Sequence, residues 1–83
     1  MNTSTLIERF VIEELMLGGR KGKIDPDESL IRSGILDSLS LLRLIVYLEE
    51  QFGLTVEDSE VIPGNFETLN SMEVFVKSKM GAH

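Results

Sequence analysis

The sequence predicts a small all-α domain, an antiparallel four-helix bundle with three main helices, one short helix and a long first loop. Three observations predict it. Apolar residues recur at spacings of three and four over 4–17, 38–52 and 69–80, the period of a helix with one buried face. Capping residues stand just before these stretches, and glycines follow the first two. A length of 83 residues bounds the chain to one domain, taken as 1–83, with a small core.

Residues 4–17 form the first predicted helix, with Leu6, Ile7, Phe10, Val11 and Leu15 as its buried stripe. Thr3 or Ser4 caps it, with Glu8 close behind, and Gly18-Gly19 ends it. Arg20-Lys21-Gly22-Lys23 reads as a solvated basic loop. Residues 24–36 are a long connection opened by the turn signal Asp25-Pro26, with Leu30, Ile31, Ile35 and Leu36 as anchors against the core. Asp25, Asp27 and Ser29 have the spacing of a calcium loop. The turn glycine's position holds Leu30 and the bidentate acid's position holds Leu36, so no calcium site is expected.

Residues 38–52 form the second helix, ending at Gly53. At 100° per residue, Leu41, Leu44, Ile45, Leu48 and Phe52 share its core face. Leu39, Leu42 and Val46 lie well around the helix from that face. Either they pack under neighbouring segments or they are exposed beside Ser38 and meet partner proteins; the second is expected, because an apolar strip ringed by charge is a common interaction signature. Leu54, Val56, Val61 and Ile62 are then interleaved with acids in a second connection. Pro63-Gly64-Asn65-Phe66 predicts a short helical turn. Thr68 caps a last helix over 69–80, with Leu69, Met72, Phe75, Val76 and Met80 as its stripe and Lys77 and Lys79 complementing its C-terminal dipole.

Composition narrows the chemistry. There is no cysteine, and the single histidine is the terminal His83. Disulfides, thiolate metal sites and an internal histidine-based triad are therefore excluded, and no metal is expected. No apolar run approaches the roughly 20 residues of a membrane span. The first residues lack the basic-then-apolar order of a signal peptide, so a cytoplasmic location is expected; the protein is also expected to be a monomer. A net charge of −6 argues against nucleic acid as a partner. That charge resides in residues 37–67, where seven acids face Arg43 alone. The segment is either a solvated face or an acidic docking surface for basic partners.

Asp37-Ser38-Leu39 heads the apolar second helix. Asp37 caps it, which leaves the Ser38 hydroxyl in the first turn, near free backbone donors and the positive end of the helix dipole. A phosphate ester on Ser38 suits that position. With no internal histidine to activate it, Ser38 is not a hydrolytic nucleophile, and a serine modified by another enzyme needs only exposure and fixed geometry.

Gly34-Ile35-Leu36-Asp37-Ser38-Leu39 and Leu48-Glu49-Glu50-Gln51-Phe52-Gly53, in the order of helix, long loop, apolar helix, acidic loop, short helix and final helix, resemble the acyl carrier protein family over nearly the whole chain. The resemblance implies that Ser38, within its attachment motif of Asp37 and Leu39, carries covalent 4′-phosphopantetheine donated from coenzyme A by a phosphopantetheinyl transferase. The arm's terminal thiol would hold cargo as a thioester, which supplies thiol chemistry to a chain without cysteine. A loading ligase and a downstream synthase or transferase would be further partners, and the chain itself would have no catalytic activity. Leu39, Leu42, Arg43, Val46, Glu49 and Glu50 are the candidate partner-binding residues. Ser40 and Arg43 stand where carriers of fatty acid synthesis have acids, and the form of the motif looks more like freestanding specialised carriers. The cargo is therefore read as an acyl intermediate of a specialised fatty-acid, polyketide or related pathway, with an aminoacyl or D-alanyl carrier, or an unmodified helical interaction module, as alternatives. Arg43 is expected to discriminate among partner enzymes.

Overall fold

The computed structural model describes residues 3–16 and 24–81 and is helical throughout its regular elements. Helix α1 spans Thr3–Phe10, α2 Ser38–Phe52, α3 Pro63–Phe66 and α4 Leu69–Gly81. Helix α4 packs against each of the other three and is the centre of the bundle.

The first helix differs from the uninterrupted helix expected over 4–17. After Phe10 it widens into a π-helical turn over Val11–Leu15, closed by the Met16 N–H donating to the Val11 carbonyl at 2.9 Å. One extra residue per turn breaks the 3.6-residue phase. Val11 stays fully buried, and Glu14 reaches Arg43 on α2. The Glu8 carboxylate accepts the Ile24 N–H at 2.7 Å and so fastens the long connection to α1. The Gly18-Gly19 stop and the basic loop 20–23 lie outside the described residues.

The core takes Ile7 and Val11 from the first helix, Leu44, Ile45 and Leu48 from α2, Phe66 from α3, and Leu69, Met72, Phe75 and Val76 from α4. The long connection contributes Ile24, Leu30 and Leu36, all at most 5% exposed, which is why it is ordered without being helical. Ile31 and Ile35 pack at its edge. The Phe66 and Phe75 rings meet in a tilted arrangement with centroids 5.3 Å apart and join α3 to α4.

The helix ends follow local chemistry. Gly53 closes α2 in the left-handed conformation at φ 66°, its N–H bonded to the Glu49 carbonyl. Pro63 opens α3, where a missing N–H costs nothing. The Thr68 hydroxyl accepts the Ser71 N–H at 3.0 Å and caps α4. The acidic connection contains a 3₁₀ turn, Asp58–Glu60, held by a capping box between Glu57 and Glu60, which the sequence pattern did not predict.

One further expectation changes at α4, while Lys79 stands in its last turn as expected. Met80 was expected in the buried stripe but is half exposed, because it lies in the last turn, beyond the buried run that ends at Val76. Lys77 and Lys79 each meet an acid: Lys77 Nζ lies 3.2 Å from Glu73 and Lys79 Nζ 2.8 Å from Glu60. The second pair ties the 3₁₀ turn to the end of α4.

Candidate functional site

The candidate site is the start of α2. Asp37 is extended at φ −97° and ψ −175°, and its Oδ1 accepts the Ser40 N–H at 2.8 Å. Its carbonyl accepts the Leu41 N–H at 2.8 Å, the first bond of the helix. The Ser40 N–H holds the Asp37 carboxyl below its ordinary value, since hydrogen bonds to the charged form favour it. Ser38 follows as the first helical residue and is exposed.

The loop that delivers Ser38 is closed on itself. The Leu36 N–H donates to the Leu30 carbonyl at 2.9 Å, and Gly34 supplies the left-handed turn at φ 85°. The loop is also fastened to the α3–α4 junction through one residue. Glu67 accepts the Leu30 N–H on its carbonyl and the Ser29 hydroxyl on its carboxylate, both at 2.8 Å. A second tie runs from Asn70, whose N–H meets the Pro26 carbonyl and whose side chain donates to Asp27 Oδ1 at 2.7 Å.

Leu39, Leu42 and Val46 are 69%, 59% and 51% exposed, so the row beside Ser38 is an outer surface. The remaining candidate residues divide. Glu49 is not free: its Oε2 accepts the Val56 N–H at 2.9 Å and fixes the turn after Gly53. Glu50 is exposed and unpartnered among the described residues. Arg43 lies on the exposed side, as its helical position implied, but reaches across to the π-helical turn. Its guanidinium is 3.8 Å from the Glu14 carboxylate and donates to the Glu14 carbonyl at 3.4 Å.

Sequence reasoning missed the groove beside this row. Phe10 and Tyr47 stack with ring centroids 4.2 Å apart, and the Tyr47 hydroxyl donates to the Leu6 carbonyl at 3.2 Å. Partial burial pushes the Tyr47 phenol up. The rings form the floor of a groove of about 370 Å³ lined by Phe10, Leu42, Arg43, Val46, Tyr47 and Glu50. The aromatic pair was legible as residue types, but not its meeting across two helices. The Glu14–Arg43 and Ser29–Glu67 contacts carried no signal in sequence, because the partners lie 29 and 38 residues apart.

These residues fit a phosphodiester on Ser38. The hydroxyl is exposed, the first turn of α2 turns its positive end toward it, and Asp37 is already satisfied by the backbone. Among the described residues no cluster of His, Cys, Asp or Glu is arranged to hold a metal ion, and no helix is long and apolar enough to cross a membrane. A small helical domain that presents an exposed serine at the capped start of an apolar helix offers a site for modification by another protein.

Residues 7–75 match the family model described as a phosphopantetheine attachment site. A D-alanyl carrier protein of Lactococcus lactis subsp. cremoris (strain MG1363) is 34% identical over 84% of this chain and 89% of that one. A probable acyl carrier protein, PigG, of Serratia sp. (strain ATCC 39006) is 30% identical over the whole chain and 92% of its own length. Among solved structures, the holo acyl carrier protein of Nitrosomonas europaea superposes with a TM-score of 0.79 at 32% identity, over 98% of this chain and 99% of that one. The chain belongs to the phosphopantetheine attachment site family of carrier proteins. It carries cargo on covalently attached 4′-phosphopantetheine, is modified by separate enzymes and catalyses nothing itself.

Proposed function

We propose that Ser38 is the residue that holds the arm and that the cargo is a small activated amino acid, loaded by a dedicated ligase and passed to a downstream transferase. The observation that carries the attachment is the exposed Ser38 hydroxyl in the first turn of α2, locked by the Asp37 cap and the Leu36–Leu30 loop closure. Ser38 Oγ forms a bond to the phosphorus nearest the pantetheine of coenzyme A, the pyrophosphate bond breaks, and adenosine 3′,5′-bisphosphate leaves as the hydroxyl proton passes to the transferase. The arm then supplies a terminal thiol for a thioester. Two features support an aminoacyl cargo: the similarity to D-alanyl carrier proteins over most of the chain, and the fully buried Leu44, Leu48, Phe66 and Met72. That packing suits a short cargo that stays in solvent. The similarity to PigG over the full length favours a second reading, an acyl intermediate of a specialised pathway.

Intact mass after incubation with coenzyme A and a broad-specificity phosphopantetheinyl transferase tests the site. One arm is expected on the wild type and none on Ser38→Ala, which keeps the fold because the change is small and exposed. A full gain on Ser38→Ala overturns the assignment. The mass of the cargo on protein isolated from its own cells decides between the readings: an amino acid supports the first, a fatty acyl or polyketide chain the second.

A further inference from the structure

The acids on and around α2 are mostly spent inside the molecule. Asp37 holds the Ser40 N–H, Glu49 holds the Val56 N–H, and Glu14 is paired with Arg43. Glu50 is exposed and meets no described residue, and it stands at the rim of the groove floored by the stacked Phe10 and Tyr47 rings. A small organic cation in water is held best by those two features together, a carboxylate and an aromatic surface. Two other surface hollows lack a free carboxylate. The one lined by Gly64, Asn65, Asn70 and Val74 has no charged residue. In the one beside Ile24, the carboxylates of Glu8 and Asp25 each already accept a backbone N–H. The core is closed, with Leu44, Leu48, Phe66 and Met72 fully buried, so a charged cargo has no place there.

We infer that this groove between the first helix and α2 is the resting place of the loaded arm: the arm lies along Leu42 and Val46, and the ammonium group of an aminoacyl cargo pairs with Glu50 beside the Phe10–Tyr47 rings. The inference rests on Ser38 as the attachment residue and on an amino acid as the cargo. Reach supports it. Ser38, Leu42, Val46 and Glu50 follow one another at successive turns, an axial distance of about 18 Å at 1.5 Å per residue. From phosphorus to ammonium nitrogen, the loaded arm has as many bonds as about five extended residues, a reach of about 18 Å. The Glu50 side chain leans back toward the head of the helix, which shortens the gap. Leu42 and Val46 are 59% and 51% exposed and offer apolar surface to the methyl and methylene groups of the pantetheine. Neighbouring charges do not oppose the contact, since Arg43 is neutralised by Glu14, and Arg9 and Glu13 pair at 3.8 Å. The groove, about 370 Å³, lies at the surface, so a resting cargo remains within reach of the next enzyme. A cargo without the ammonium gains apolar contact alone, so Glu50 makes the site selective for amino acids.

The test uses the full isotope-labelled chain, a broad-specificity phosphopantetheinyl transferase and two coenzyme A analogues whose sulfur is replaced by N–H. One analogue carries alanyl and the other propionyl, both through a stable amide, so the two arms differ by the ammonium group alone. With the alanyl arm, NMR is expected to show shifts at Glu50 and at the Tyr47 ring, and magnetisation transfer from the cargo methyl to the Phe10 or Tyr47 ring protons. With the propionyl arm these signals are expected to fall at least threefold. Glu50→Gln is expected to lower the equilibrium constant for the resting alanyl arm, read from the Tyr47 ring shift, about threefold at low salt, the scale of one exposed ion pair, and the effect fades at high salt. Asp58→Asn removes the same unit of charge from the exposed 3₁₀ turn and is expected to leave that constant unchanged. Equal signals for the alanyl and propionyl arms, or equal constants for Glu50→Gln and Asp58→Asn, overturn Glu50 as the partner of the ammonium. Shifts confined to residues 37–42 with either arm overturn the groove as the resting place while leaving Ser38 as the attachment residue. A wild-type chain that takes neither arm overturns the attachment reading and this inference together.

Discussion

Arg43 and Glu14, 29 residues apart in the chain, clasp α2 to the end of the first helix by a charge pair at 3.8 Å and a hydrogen bond to the Glu14 carbonyl at 3.4 Å. The guanidinium thus serves as a C-terminal cap supplied by another helix: it satisfies a carbonyl and stands at the negative end of the dipole. Both side chains are about half exposed, so the pair contributes on the order of 0.5–1 kcal/mol. Arg43→Glu should lower stability by that amount in urea unfolding, and Glu14→Arg in the same chain should restore part of it. Identical midpoints for all three would show that the clasp contributes nothing. The expected role of Arg43 in partner choice is best measured in the reversed pair, where the fold is preserved and only the sign of the charge beside Leu42 changes.

Asp37 makes the stability of α2 depend on acid. Its folded-state carboxyl is held below the ordinary 3.8 by the Ser40 N–H. A depressed value means that the contribution is fully present above the unfolded value and is lost as pH falls through the folded one. Asp37→Ala should lower the melting temperature by a few degrees at pH 7, and the gap to wild type should close as pH is taken below 3.8. A gap that stays constant down to that range would place the cap's effect elsewhere.

Glu67 should control the mobility of the loop that delivers Ser38. Its carboxylate holds the Ser29 hydroxyl at 2.8 Å in a half-buried site, a charged hydrogen bond worth about 1.5–2 kcal/mol. Glu67→Ala is expected to speed amide exchange over residues 31–37 while α4 core amides change little. Glu67→Gln, which keeps an acceptor, should lie between. Uniform acceleration across the whole chain would indicate global destabilisation instead of a released loop.

Leu48 is fully buried at the centre of α2. Leu48→Ala removes its contacts and leaves a cavity, at a cost of about 2–5 kcal/mol. A domain of this size has only about 4–12 kcal/mol in total, so the variant should be much less stable and close to partly unfolded at 37 °C. Circular dichroism against temperature reads this directly. A melting temperature within a degree or two of wild type would mean that the core repacks around the gap.

The helices were legible wherever local chemistry dominates. Residues 38–52, Pro63–Phe66 and the Thr68 cap stand where spacing and capping residues put them. So do the exposed row Leu39, Leu42 and Val46 and the core face Leu44, Ile45 and Leu48. The π-helical turn was not legible, because Ile7, Phe10, Val11 and Leu15 keep the three-and-four spacing of an uninterrupted α-helix. Glu49 and Glu50 were indistinguishable in sequence; only the chain's return after Gly53 brings the Val56 N–H to one of them.

The sequence by itself determined the helices, the anchored connection 24–36, and a serine placed by its aspartate cap at the head of an apolar helix, because these depend on residues within a few positions of one another. Tertiary structure decided which charges remain available. Asp37 and Glu49 are consumed by backbone N–H groups, Arg43 by Glu14, and Glu67 by Ser29, and Phe10 finds Tyr47 across two helices. Except for the Asp37 cap and the short return to Glu49, those pairings link residues far apart in the chain. A polar group's partner is set by where the packed backbone brings its neighbours, a distance that no spacing along the sequence encodes.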